Sequence, residues 1–220
     1  MGRVNGKKAF ITGAAQGLGA CFARMLADEG ATVALTDVNL EGARAAAAAI
    51  NAKHKGRAFA FQHDVTSEAA WRDALSAAAE AMGGVSVLIN NAGVGGWGHI
   101  ETETMEGWRR TQAVDVDSIF IGTQLSMPYL RAAQPASIIN ISSVAGMIAH
   151  GDMLAYNTAK AAVWMMTKSI ALHCAREGYD IRCNSVHPVF TRTPIIDPLI
   201  AMGGGGREGE QRLFRQIPLQ

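Results

Sequence analysis

Three residues in the second half of the chain have the types and spacing that proton transfer requires. Tyr156 and Lys160 are four positions apart, so on a helix they share one face. A tyrosine is a weak base at neutral pH because its ordinary pKa is about 10, but a neighbouring cation favours the phenolate. Ser143 precedes the pair and would donate a hydrogen bond to an oxygen that exchanges its proton with Tyr156. Alone, a Tyr-x-x-x-Lys pair is a weak signal, because most such pairs are surface contacts.

A glycine-rich stretch near the N-terminus has the spacing of an anion-binding turn. It runs Thr12-Gly13-Ala14-Ala15-Gln16-Gly17-Leu18-Gly19, between a predicted strand and a predicted helix. Glycine there permits positive φ and a close approach of backbone N–H groups to a phosphate, and the helix N-terminus favours the anion. The spacing is not the common G-x-G-x-x-G, and a purely structural turn is the alternative. We expect a dinucleotide to contact Gly13, Gln16, Gly17, Leu18 and Gly19.

The end of the second predicted strand indicates which dinucleotide binds. Asp37 lies there, twenty residues after Gly17. A carboxylate at this place accepts hydrogen bonds from ribose hydroxyls and repels a 2′-phosphate. Gln16 is not basic, and no Lys or Arg directly follows Asp37. The pattern favours NAD over NADP, and a solvated strand end is the weaker alternative.

Two further loops follow predicted strands and would reach the same edge of a sheet. Asp64-Val65 follows the third strand, and Asn90-Asn91-Ala92-Gly93 follows the fourth. Ligands of open α/β sheets bind at the carboxyl ends of the strands, although Asn and Gly are also ordinary turn residues. We expect the cofactor site to include Asp64, Val65, Asn91, Ala92 and Gly93.

Strand and helix patterns alternate along the chain, which predicts an α/β fold with a doubly wound parallel sheet in three layers, α/β/α. One domain, 1–220, is expected, with 193–220 as a mobile substrate-loop region because prolines and four consecutive glycines interrupt it. The predicted strands are Lys8–Thr12, Thr32–Asp37, Arg57–His63, Val85–Asn90, Ser137–Ser142 and Asp180–Val186. The predicted helices are Gly17–Glu29, Leu40–Lys53, Ser67–Met82, Thr104–Leu130 and Ala155–Glu177.

Composition excludes several classes of protein. The chain has 20 Lys+Arg against 19 Asp+Glu, which argues against a nucleic-acid binder. Its apolar runs are shorter than the roughly 18 residues of a membrane span. Three widely spaced cysteines and six histidines lack the spacing of disulfide frameworks or zinc sites. We expect a cytoplasmic protein that binds no metal, membrane or nucleic acid.

The chain resembles a short-chain dehydrogenase/reductase over nearly all of its length. Three motifs carry the resemblance: Thr12-Gly13-x-x-x-Gly17-x-Gly19, Asn90-Asn91-Ala92-Gly93, and Ser143 with Tyr156-x-x-x-Lys160. The stretches Asn184-Ser185-Val186-His187-Pro188 and Thr191-Arg192-Thr193-Pro194 are similar to the alicyclic-alcohol and hydroxysteroid dehydrogenase branch.

The resemblance implies a Rossmann sheet ordered 3-2-1-4-5-6, usually with a seventh strand, and a homo-dimer or homo-tetramer. It implies an enzyme that interconverts a secondary alcohol and a ketone by hydride transfer, and Asp37 favours NAD as its cofactor. Tyr156 would be the general acid and base, Ser143 would hold the substrate oxygen, and Lys160 would bind the ribose and favour the tyrosinate. Ser142 would be structural. The cofactor would also contact Tyr156, Lys160, Pro188, Thr191 and Thr193.

Three departures from the family pattern affect these expectations. Asp115 stands where the family usually has an Asn, and it would hold Lys160 protonated while offsetting its positive field. Val189 stands where the family usually has a Gly. The chain stops at Pro218-Leu219-Gln220, so we expect the seventh strand to be missing and the C-terminal end to be truncated.

These departures support an alternative to the dehydrogenase, namely a nucleotide-binding protein with impaired or no catalysis. An isomerase or dehydratase on the same scaffold is a third reading.

The predicted substrate side is mostly apolar. It comprises Val94–Trp97, Met147–His150, Met153 and Phe190, with the 193–206 stretch as a cover. We expect no Arg or Lys to face a substrate carboxylate, so the substrate would be a small neutral hydrophobic or alicyclic alcohol or ketone.

Overall fold

A single parallel sheet organises the chain. The computed structural model describes residues 2–215 and 217; Met1, Gln216 and residues 218–220, with the predicted chain end, lie outside the described residues. The strands are β1 Lys8–Thr12, β2 Thr32–Asp37, β3 Ala58–Gln62, β4 Val87–Asn90, β5 Ala136–Ile141 and β6 Ile181–Val186. Their order is β3-β2-β1-β4-β5-β6, and every pairing is parallel. The predicted doubly wound α/β fold is confirmed.

Helices cover both faces of this sheet, which is why the middle residues of its central strands are apolar. Phe10 points to one face, where it stacks on Trp71. Its neighbours Ala9 and Ile11 point to the opposite face, where they pack with Ala23. The helices are α1 Gly17–Asp28, α2 Leu40–Asn51, α3 Glu68–Met82, α4 Met105–Gln112, α5 Ser118–Ala132, α6 Leu154–Arg176, α7 Asp197–Met202 and α8 Gly206–Phe214. Among the described residues, no helix is long and apolar enough to cross a membrane.

The predicted helix Thr104–Leu130 is not continuous. A π-helical turn, Ala113–Asp117, separates α4 from α5. Such turns add a residue to the helical repeat and commonly lie at functional sites. Here the turn contains Asp115, whose side chain is completely buried. Hydrophobic periodicity predicts the helix but not this local change in its pitch.

Regular structure also extends into the segment that sequence analysis describes only as a mobile loop. We call residues 190–215 the covering segment. It contains a 3-10 turn, Pro194–Ile196, followed by α7 and α8. Ile196, Ile200 and Leu213 form an apolar cluster of their own. Gly209 permits the two helices to touch, because a Cβ there would lie 2.1 Å from the Ile200 carbonyl oxygen. The mobility of this segment stays a prediction.

Candidate active site

One cavity of about 710 Å³ opens at the carboxyl edge of the sheet, and its wall brings most of the predicted site residues together. Gly19 is the exception: it lies behind the wall, where a Cβ would be 2.3 Å from the Gly13 carbonyl oxygen. The absence of a side chain at Gly19 permits α1 to pack closely against the glycine-rich turn. The wall includes Gly13, Gln16, Gly17, Leu18, Asp37, Asp64, Val65, Asn91, Ala92, Gly93, Ser143, Tyr156, Lys160, Pro188, Thr191 and Thr193.

The glycine-rich turn has the backbone that its sequence predicts. Gly13 and Gly17 have φ of 63° and 58°, a region that residues with side chains rarely adopt. A Cβ at Gly13 would be 2.8 Å from the Cα of Ala92. The turn therefore packs directly on the loop that follows β4, and α1 begins with its N-terminus at the cavity.

Asn91 fastens these two loops to each other. Its side-chain Nδ2 donates to the carbonyl oxygens of Thr12, at 2.8 Å, and Gly13, at 3.0 Å. In return, Thr12 Oγ1 accepts from the backbone N–H groups of Asn91 and Ala92, both at 3.0 Å. The amide of Asn91 thus holds the turn in place from within the protein.

The carboxylate of Asp37 is fixed at the end of β2. Its Oδ2 accepts from the backbone N–H of Ala15 at 3.0 Å, and its Oδ1 accepts from that of Asn39 at 2.9 Å. Each oxygen has further acceptor capacity. The carboxylate is held by the glycine-rich turn itself, at the cavity wall, where a ribose hydroxyl could donate to it.

His63 and Asp64 form the adjacent part of the wall. The His63 ring is buried, with Nδ1 2.9 Å from the Thr36 hydroxyl and its edge against Trp71. Burial lowers the pKa of His63 to about 4, despite the opposing effect of Asp64, so the ring is neutral at pH 7. Hydrogen bonds from the Thr66 hydroxyl and backbone lower the pKa of Asp64. This region therefore presents one fixed negative charge beside a neutral imidazole ring.

The three proton-transfer candidates meet where β5 ends and α6 begins. Lys160 Nζ lies 5.4 Å from the centre of the Tyr156 ring, one helical turn away. Ser143 follows β5 in an extended conformation, and its Oγ accepts from the backbone N–H of Ala145 at 3.1 Å. Its hydroxyl proton stays available to another acceptor. The neighbouring Ser142 is buried and donates to the Lys160 carbonyl oxygen at 2.8 Å, which ties β5 to α6.

Lys160 forms a buried ion pair with Asp115. Nζ is 2.8 Å from Oδ2, and both side chains are almost completely buried. Nζ also donates to the Ile141 carbonyl oxygen at 3.3 Å, while Asp115 Oδ1 accepts from the Val94 N–H at 2.8 Å. Burial lowers the pKa of Lys160, but Asp115 and Tyr156 raise it more, so the pKa lies above its ordinary value. The lysine is a cation whose charge a carboxylate directly offsets.

Val189, the second departure from the family pattern, also lies on the cavity wall. Only glycines have positive φ among the described residues, so Val189 adopts a conformation open to any residue. Its β-branched side chain therefore causes no backbone strain at this position.

Sequence reasoning missed one charged residue of the cavity. Arg110, in the last turn of α4, lines the wall one helical turn before Val114. Its side chain is exposed and has no ion-pair partner in the described part of the chain. Sequence analysis places no Arg or Lys on the substrate side, whereas the structure places Arg110 on the cavity wall. No local sequence signal marks it, because its place on the wall depends on where α4 packs beside the site.

Comparison with known proteins places these features in a family. Residues 7–202 match the family model described as short chain dehydrogenase. The chain is 38% identical over 198 residues to the NADP-dependent (R)-specific alcohol dehydrogenase of Lentilactobacillus kefiri, covering 90% of this chain and 78% of the relative. It is 40% identical over 222 residues to the trans-4-hydroxycyclohexanecarboxylate dehydrogenase of Sinomonas cyclohexanicum, covering 99% and 80%. A solved short chain dehydrogenase/reductase from Burkholderia phymatum, in complex with NAD, has a TM-score of 0.84 at 31% identity, covering 90% of this chain and 70% of that one.

Proposed function

Since the chain belongs to the short chain dehydrogenase family, we propose that it is an NAD-dependent oxidoreductase that interconverts a secondary alcohol and a ketone. The observation that carries this proposal is the meeting of Ser143, Tyr156, Lys160 and Asp37 on the wall of one cavity. A protein that only bound a nucleotide would have no physical need for the first three. The nicotinamide of the bound cofactor would lie where the glycine-rich turn and the ends of β4, β5 and β6 converge.

The residues present fit a dinucleotide with a free ribose 2′-hydroxyl. Gly13 and Gly17 open the turn so that backbone N–H groups and the N-terminus of α1 can face a pyrophosphate. Asp37 would accept from the adenosine ribose and repel a 2′-phosphate. The relative from Lentilactobacillus kefiri is NADP-dependent and the Burkholderia phymatum structure holds NAD, so the choice of NAD rests on Asp37.

The proposed chemistry divides between the cofactor and the chain. A bound nicotinamide supplies the acceptor or donor of hydride. Ser143 Oγ donates a hydrogen bond to the substrate oxygen and fixes its position. Tyr156 takes the proton from that oxygen during oxidation and returns it during reduction. Lys160 beside the ring favours the tyrosinate, and its hydrogen bond to Ile141 together with the ion pair to Asp115 fixes the ammonium group.

We further propose a cyclic secondary alcohol or ketone as the substrate. The cavity wall near Tyr156 is built from apolar side chains of three elements, which suits an alicyclic ring. These side chains include Trp97, Ile148, Met153, Phe190 and Ile195. A homo-oligomer is also proposed, because α5 and α6 leave Phe120, Met165 and Leu172 exposed.

Arg110 favours a second candidate substrate, a cyclic alcohol that carries a carboxylate. The guanidinium of Arg110 at the cavity wall has no ion-pair partner among the described residues and can bind a carboxylate in a bidentate way. The relative from Sinomonas cyclohexanicum is named for such a substrate. The test compares trans-4-hydroxycyclohexanecarboxylate with cyclohexanol in the wild type and in Arg110→Gln. Loss of kcat/KM for the carboxylate alone would support this candidate, and equal rates in both proteins would exclude it.

The experiment that tests the main proposal is an initial-rate assay of NADH formation. The intact chain is given cyclopentanol, cyclohexanol and a hydroxysteroid, each with NAD and with NADP. Turnover with NAD but not with NADP is expected. A folded protein that binds NADH and turns over none of the alcohols would instead support the non-catalytic nucleotide-binding alternative.

A further inference from the structure

The ring of His187 connects the backbone of Ser143 to the end of β6. Its Nδ1 lies 3.1 Å from the Ser143 carbonyl oxygen. Its Nε2 lies 2.8 Å from Oγ of Ser185, two residues earlier. His187 itself follows β6 directly, so the contact spans two neighbouring strands at their carboxyl ends.

The chemistry of the two partners defines how the ring bonds. A carbonyl oxygen only accepts, so Nδ1 must carry the proton and donate to Ser143. In the neutral ring Nε2 then accepts, and the Ser185 hydroxyl donates to it. Both nitrogens are used, and both partners are groups of the protein. The ring is oriented entirely from within the protein.

Two other contacts make this connection rigid. The ring packs edge-on against Trp164, with centroids 5.8 Å apart, and Trp164 lies one helical turn after Lys160 on α6. The backbone N–H of Val144 donates to the Pro188 carbonyl oxygen at 3.0 Å. The peptide that carries Ser143 is therefore fixed against the end of β6 and against α6, the helix that carries Tyr156.

We propose that His187 is a positioning residue that aims the Ser143 hydroxyl at the substrate oxygen. This inference rests on the proposed function. The Ser143 carbonyl also accepts from the Gly146 N–H at 3.0 Å, so loss of the histidine leaves that oxygen hydrogen-bonded. The bond from the Val144 N–H to Pro188 also stays, and only the bond from the imidazole is removed. The loop then stays folded, but one of the three hydrogen bonds that set the angle of the Ser143 peptide is lost. Misplacement of a catalytic group by about 1 Å can cost about a hundredfold in rate.

Matched variants separate the hydrogen bond from the packing of the ring. His187→Phe keeps an aromatic ring against Trp164 but has no donor, whereas His187→Asn keeps a donor close to the position of Nδ1. With cyclopentanol and NAD we expect His187→Phe to lower kcat about tenfold, the size of one hydrogen bond. His187→Asn should recover most of that loss, and the Kd for NADH from fluorescence titration should hardly change in either. His173→Phe, at the far end of α6, is the control and should keep wild-type kcat.

A double-mutant cycle with Ser143→Ala decides whether His187 acts through the serine. Non-additivity is expected: in the Ser143→Ala background, His187→Phe should have almost no further effect on the residual rate. Equal losses in both backgrounds, or a parallel loss of NADH binding, would overturn the positioning role while leaving the proposed function intact. A wild-type chain that turned over no alcohol would overturn the proposed function and this inference with it.

Discussion

The two walls of the cavity are built in different ways. One wall, which we call the fixed wall, consists of the loops after β1–β5 and the first turns of α6. The other is the covering segment, residues 190–215. On the fixed wall, Ser143 and Lys160 have only 8% and 4% of their surface exposed. On the covering segment, Ile195 and Met202 have 48% and 69% exposed.

The source of their order differs as well. The fixed wall is held by hydrogen bonds between loops of neighbouring strands, such as those that join Asn91 to Thr12 and Gly13. The covering segment has a small apolar cluster with three buried members, Ile196, Ile200 and Leu213. Its ion pairs are exposed and contribute little to stability. The fixed wall is thus suited to chemistry and cofactor choice, which need accurate positions. The covering segment is suited to admitting the substrate.

This contrast predicts its largest effect at Tyr156, on the fixed wall. Tyr156→Phe removes one oxygen and preserves the ring beside Lys160. Because proton transfer by a positioned group contributes roughly 10²–10⁴-fold, we expect kcat to fall by about that factor. NADH binding, measured by fluorescence titration, should stay nearly unchanged. Tyr179→Phe, beyond the end of α6, is the matched control and should keep full activity. A Tyr156→Phe enzyme with wild-type kcat would assign the proton transfer to another group.

The second effect concerns cofactor choice. Asp37→Asn keeps an oxygen that can accept from the Ala15 N–H but removes the charge that repels a 2′-phosphate. We expect the ratio of kcat/KM with NAD to that with NADP to fall about 10- to 100-fold, or roughly 1.4–2.8 kcal/mol. Asp73→Asn, on the outer surface of α3, should leave the ratio unchanged. A ratio equally unchanged in Asp37→Asn would mean that Asp37 does not select the cofactor.

The third effect is a shift in pH dependence. Asp115 raises the pKa of Lys160 and offsets the cation that favours the tyrosinate, so oxidation in the wild type should need alkaline pH. Asp115→Asn removes the carboxylate, and we expect the pH profile of alcohol oxidation to move about one unit toward acid. The pKa of Lys160 is raised, so its positive charge, and the stability that this charge contributes, are lost only as the pH rises above the ordinary lysine pKa. In the wild type, initial rates between about pH 6 and pH 9 therefore avoid that loss.

The matched control for this variant lies two residues away. Asp117→Asn changes a carboxylate in the same π-helical turn, but that side chain is exposed. Its pH profile should coincide with that of the wild type. If Asp115→Asn also gave the wild-type profile, the buried carboxylate would not offset the charge on Lys160.

Much of the fixed wall could be predicted from the sequence, for a physical reason. Its positions depend on local patterns: glycines where φ must be positive, a carboxylate at a strand end, and two residues one helical turn apart. The bounds of β1 and β2 match the predicted strands, and the structure places Gly13 and Gly17 in the expected conformation. Such features need only a few neighbouring residues to be recognised.

Other features depend on contacts between distant segments and left no local signal. The π-helical turn contains Asp115, whose buried ion pair with Lys160 joins it to the distant helix α6. The cavity position of Arg110 follows from where α4 lies beside the site. In the covering segment, the four consecutive glycines suggest a loop, whereas Gly209 lets α7 and α8 pack together. Each depends on a partner that the sequence pattern does not identify.

The smallest effect is expected in the covering segment, at Arg192. Its guanidinium bonds Asp197 at 2.7 Å and Glu210 at 3.0 Å, and so joins the segment's start to α7 and α8. Arg192→Gln removes both ion pairs, which are exposed, so we expect a small rise in KM for cyclopentanol and no change in kcat. Hydrogen exchange should quicken in residues 193–215 and nowhere on the fixed wall.

The control Arg176→Gln breaks an exposed ion pair with Glu177 at the end of α6, and it should change neither KM nor hydrogen exchange. A salt titration sharpens the test, because about 1 M salt shortens the screening length to about 3 Å and should raise KM in the wild type but not in Arg192→Gln. A lower kcat in Arg192→Gln with unchanged KM would mean that the covering segment contributes to the chemistry, and the division between the two walls would then be wrong.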